Sequence, residues 1–167
     1  MTMLIDIEQR PSGLPADLRQ HVGESALIQL ALDAAQIVGE RLSPPLEAEG
    51  RHSPPMLLTL LTYCYAAGIY GSEDIEYACR NDAATRYLCA NTSPDQDAIR
   101  SFRRANRPRI EACLTRVYHR ACCETFAPVS RGPLPIPRLE TRSSAELTSI
   151  VRRKLELAIM IDTAMCE

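Results

Sequence analysis

The sequence predicts an all-α protein: a compact multi-helix domain that contains a helix-turn-helix-like three-helix unit and ends in a C-terminal helix. Three observations carry this. Only 5% of the 167 residues are aromatic and Trp is absent, so the core has to be built from Leu, Ile, Ala and Cys, a mixture that suits helices better than sheets. Apolar residues recur at helical spacing in several separate segments. Helix-start and helix-stop signals bound those segments. An apolar share of 46% and a charged share of 24% are ordinary for a globular chain and exclude wholesale disorder. The length fits one domain, or one domain with a helical appendage.

The elements follow in order. Leu4 to Ile7 reads as a short extended arm. A helical pattern opens at Pro15 or Ala16 and runs to Arg41, with a break at Gly23. Within Ser25 to Arg41 the polar residues Gln29, Asp33, Gln36 and Glu40 fall at helical spacing among Leu, Ile, Ala and Val, the mark of a mostly buried helix. Ser43 to Pro55 is rich in Pro and Glu and reads as a linker. Ser53-Pro54-Pro55 starts the next helix, since proline is tolerated in the first turn. That helix, Met56 to Ala67, is apolar on every face and is expected at the centre of the core, stopped by Gly68. Ser72 caps a helix to about Arg80, with Glu73 and Asp74 complementing its positive end, and a shorter helix runs from Asn81-Asp82 to about Cys89. Asp95 or Thr92-x-x-Asp95 caps a helix that ends near Arg107, because Pro108 disfavours helical geometry in the residue before it. Pro108 starts another, Arg109 to Glu124. Ala127 to Thr141 holds four prolines, and Ser143-x-x-Glu146 is a capping box for a last helix from Ala145 to about Met165. The expected division is a domain over residues 1–125, a Pro-rich loop over 126–144 and a C-terminal helix over 145–167.

Several function classes lack support. The N-terminus has no basic start followed by an apolar run, and the longest apolar stretch, around Met56 to Ile69, is too short to span a bilayer. The expectation is a cytoplasmic protein with no membrane partner. Its seven cysteines then read as reduced, buried thiols, with Cys122-Cys123 the one pair to watch for oxidation. No C-x-x-C pair occurs and His21, His52 and His119 lie at no metal-ligand spacing near the cysteines, so neither a metal nor a cofactor is expected.

The net charge of −2 is unevenly spread: residues 1–50 carry three Arg against eight acids, and residues 95–120 carry seven Arg against three acids. Within that basic segment Arg100, Arg103, Arg104 and Arg107 fall at i, i+3, i+4 and i+7. Ala98, Ile99, Phe102 and Ala105 fall opposite. The expectation is that the apolar side docks on the core and all four guanidinium groups face outward. Like charges this close gain little from water and invite an anion, and guanidinium suits phosphate and the acceptor edge of guanine. A solvated basic face paired with the acidic N-terminal half is the plainer reading of the same stripe. Two short helices precede it across tight turns, the arrangement that presents a recognition helix to double-stranded DNA.

The stretch from Pro54-Pro55 through Leu-Leu-Thr-Leu-Leu-Thr-Tyr-Cys-Tyr-Ala-Ala-Gly-Ile-Tyr to Gly71-Ser72 resembles the N-terminal helical domain of InsH-type insertion-sequence transposases. So do Asp74-Ile75-Glu76, Asn81-Asp82 with Arg86-Tyr87-Leu88, Ser93-Pro94-Asp95 with Ile99, and Phe102-Arg103-Arg104. The resemblance spans Pro54 to about Cys123. It implies a helical domain that helps grip the transposon end and precedes an RNase-H-like domain with three metal-binding carboxylates. After Cys123 the acids are Glu124, Glu140, Glu146, Glu156, Asp162 and Glu167, with no runs that could make a sheet. Asp162-Thr163 lies in a helical pattern, and two-metal chemistry needs several carboxylates on a rigid scaffold. The expected function is therefore a non-catalytic DNA-binding regulator or accessory factor. One alternative is the first reading frame of a split transposase, paired with a catalytic transposase chain. The other is a protein-interaction module, whose mark is an exposed apolar face on the last helix; a homodimer is a further candidate assembly.

Overall fold

The break at Gly23 separates two helices, α1 (Arg19–Val22) and α2 (Glu24–Arg41), in a computed structural model that describes residues 16–41, 52–124 and 142–165. The chain continues with α3 (Pro54–Ala66), α4 (Ser72–Asn81), α5 (Ala83–Leu88), α6 (Gln96–Cys123) and α7 (Ser144–Met165), and among the described residues there is no strand. The fold is all-α. The Leu4–Ile7 arm, most of the 43–55 linker and the 127–141 loop lie outside the described residues.

Helix α3 sits at the centre as its all-round apolarity requires: every residue from Leu57 to Ala66 is buried. Its two threonines are accommodated because Thr59 and Thr62 donate back to the carbonyls of Pro55 and Leu58, one turn earlier. Gly68 ends it in a left-handed conformation, φ +82°, where a Cβ would stand 2.9 Å from the Ala16 carbonyl oxygen. The amide of Leu18 donates to Ala66 at the same end, which anchors α1. Helices α2, α3 and α6 pack against one another around this core, and α7 runs along α6 and touches α4.

The caps fall close to the expected positions. Asp82 accepts from the Thr85 amide at 3.0 Å to start α5, and Asp95 accepts from the Ala98 amide at 2.8 Å to start α6. Ser143 and Glu146 form the reciprocal capping box of α7, at 3.0 and 3.3 Å. One detail differs: Gly71 is the cap residue of α4, and Ser72 is its first helical residue. The predicted break before Pro108 is present as a kink within α6, where Asn106 leaves helical geometry at φ −125°, ψ 21° and two helical segments meet.

Candidate nucleic-acid interface

Helix α7 buries Leu147, Val151, Leu155 and Ala158, an i, i+4, i+8, i+11 stripe. The next position in that series is Asp162, which is 6% exposed. A carboxylate carried into a buried stripe needs strong partners, and three arrive from other elements. The Ser72 amide and the Ser72 hydroxyl each donate to Oδ1 at 2.8 Å, and the Arg103 guanidinium donates to Oδ2. Asp162 thus caps the N-terminus of α4 from a different helix. Gly71 leaves room for this approach: a Cβ there would stand 3.2 Å from the Ile161 side chain. Burial pushes the Asp162 carboxyl upward, but the Ser72 amide, Arg103 and the Ser72 hydroxyl outweigh it and hold it below its ordinary value.

The side chain of Arg103 is only 7% exposed. It also donates to the Tyr65 hydroxyl at 3.2 Å, and burial raises that phenol to about 12 despite the guanidinium beside it. The expectation that all four arginines face outward is therefore corrected. Extended past the kink, the buried stripe of α6 is Ile99, Phe102, Arg103, Asn106, Ile110, Cys113, Leu114 and Val117. Arg103 belongs to it by position, four residues after Ile99 and seven before Ile110, so its side chain points into the seam with α7.

The remaining three are progressively more exposed in the order Arg100, Arg107 and Arg104. Arg100 is 22% exposed; its Nε donates to the Ser72 hydroxyl at 3.0 Å and lies 3.8 Å from Asp162. Arg107 is 39% exposed and meets Glu111 at 3.5 Å and Glu156 at 3.9 Å. Arg104 is exposed, and no described residue pairs with it.

The stripe thus forms one wall of a groove rather than a free convex face. Arg100, Arg103, Arg104 and Arg107 of α6 line a space of about 610 Å³ with Ile159, Asp162 and Thr163 of α7. The two helices run antiparallel, joined by three charge pairs: Arg103 to Asp162 and Arg107 to Glu156, with the arginine on α6, and Glu111 to Arg152 at 3.4 Å, with the sense reversed. The structural role of Asp162 and its link to Arg103 escaped the sequence reading, because ending the helix at Arg107 hid the continuity of the buried stripe through Ile110. The signal that could have found them is a carboxylate at the i+4 position of an apolar series, facing an arginine similarly placed. Among the described residues no group of three His, Cys, Asp or Glu is placed to hold a metal ion. Nor is any described helix long and apolar enough to cross a membrane.

Fold and site together define a helical module with a guanidinium-lined groove at the seam of two helices. Residues 21–105 match the family described as Transposase domain (DUF772), just over half of the chain, and the chain belongs to that family. No curated protein and no solved structure matches it. The matched segment includes Arg100, Arg103 and Arg104 and stops before the kink, so Arg107 and all of α7, with Asp162, lie beyond it.

Proposed function

We propose that this chain is a non-catalytic DNA-binding protein derived from a transposase N-terminal domain, acting in the cytoplasm as a regulator or accessory factor by occupying duplex DNA. The observation that carries the reading is the α6–α7 groove, where four arginines gather and Arg104 stands at the mouth with no described counter-ion. An unpaired guanidinium next to two partly engaged ones favours a phosphate-bearing partner. Membership in a transposase-domain family agrees with that partner. The reading assigns no catalytic role to Asp162, whose oxygens are taken up by Ser72 and Arg103. The test is a titration of labelled duplex DNA with the purified chain at low salt. Saturable binding is the expected outcome; no binding with helical content intact overturns the reading.

One observation favours the alternatives in which the chain docks on another protein, the interaction module and the first reading frame of a split transposase. On α7, Leu157 is 42% and Met160 67% exposed, apolar area that a partner chain could cover. Sedimentation of the chain with the product of the adjacent downstream frame separates the split-transposase reading from the others, since only it expects a stable complex.

A further inference from the structure

The position of the arginines at a helix–helix seam restricts what they can touch. Packed helices lie about 8–10 Å apart, and each is about 10–12 Å across with its side chains. The α6–α7 pair is therefore roughly 20 Å wide, whereas the major groove of B-DNA is about 12 Å wide and admits one helix. With α7 in place, the arginine side of α6 cannot descend to base edges. What it meets is the ridge of the sugar–phosphate backbone, where contacts position a protein without reading sequence.

The four arginines are also unequal. Asp162 and Tyr65 hold Arg103, while Ser72, Gln96 and Asp162 hold Arg100. Arg104 has no described partner, and the ion pairs of Arg107, at 3.5 and 3.9 Å and partly exposed, are weak enough for phosphate to displace. Both line the groove, and they are the more exposed of its four arginines.

Resting on the DNA-binding reading above, the geometry points to a phosphodiester-backbone site in which Arg104 and Arg107 alone contact duplex DNA, independent of sequence, while Asp162 withholds Arg100 and Arg103. The test uses the full chain and several labelled 20-base-pair duplexes of unrelated sequence, titrated by fluorescence anisotropy across a salt series. Two neutralised phosphates give a log–log slope of affinity against salt of about −1.8 per chain. The expected result is that slope on every duplex, with affinities agreeing within a few-fold. Arg104→Gln with Arg107→Gln should flatten the slope toward zero. At about 50 mM salt the loss of affinity should be on the order of a hundredfold, as two lost counterion-release contacts imply. Circular dichroism checks that the double variant keeps its helices. A slope near −3.6 of which the double variant removes half would show that the inner pair reaches DNA and that α7 moves aside. That result, a tenfold or larger sequence preference, or an unchanged slope in the double variant would each overturn the site while leaving DNA binding standing. Failure of any duplex to bind would overturn both.

Discussion

Arg103 and Asp162 show how one pair of charges can serve structure in a site that looks electrostatic from sequence. Removing one member of a buried pair leaves the other without compensation, at about 3–5 kcal/mol. Asp162→Asn should therefore lower stability by that amount in urea unfolding. Arg103→Ala should destabilise as well, unlike a substitution at Arg104. Replacing both charges by apolar groups, Arg103→Met with Asp162→Leu, should recover all but about 1 kcal/mol, the typical worth of a helix cap, because Ser72 still loses its acceptor. The Asp162 carboxyl is held below its ordinary value, so its contribution is fully present above the unfolded value of about 3.9 and is lost as pH falls below it. Wild-type stability should fall with acid below about pH 4, and that limb should be shallower in Asp162→Asn. An equally steep limb in the variant would show that other carboxyls dominate acid unfolding.

At the scale of elements, the kink in α6 and the docking of α7 place the arginines. Pro108 lacks an amide proton and its ring crowds the preceding turn. Asn106 absorbs the distortion: its side-chain amide donates to the Phe102 carbonyl at 3.1 Å, and its oxygen accepts from Arg109 at 3.1 Å. Asn106→Leu should cost about 1–3 kcal/mol by stranding buried polar groups, read as a lower urea midpoint. The seam with α7 combines partly exposed ion pairs, such as Glu111 with Arg152, and fully buried side chains, such as Leu155. The burial should dominate. Leu155→Ala should cost about 2–5 kcal/mol, whereas exchanging the charges, Glu111→Arg with Arg152→Glu, should change stability by less than about 1 kcal/mol. A larger loss from the charge exchange would show that the ionic contacts hold α7 in place.

For the molecule as a whole, α7 lies beyond the family match yet completes the described core. Lys154 reaches the Tyr70 hydroxyl at 2.9 Å and lies 5.5 Å from the centre of the Tyr118 ring, and Asp162 caps α4. A chain that stops at residue 124 should lose this cover and leave Arg103 with no carboxylate. The expected outcome is broadened thermal unfolding and increased binding of a hydrophobic dye relative to the full chain. Sharp, unchanged unfolding would show that residues 1–124 form a self-sufficient domain.

The sequence by itself determined the all-helical class, the central placement of α3, the start of α5 after Asn81-Asp82 and the caps at Asp95 and Ser143, because periodicity, composition and capping chemistry act within one or two turns of chain. It also marked the arginine stripe and the resemblance to a transposase domain, which the family match bears out. Only the tertiary structure decided which arginines remain available. A helical wheel gives the angles between side chains but not the direction from which a partner helix arrives. Arg103 and Asp162 are 59 residues apart, and the packing of α7 on α6 turns an apparently uniform basic face into a buried tie at one edge and an open guanidinium at the other.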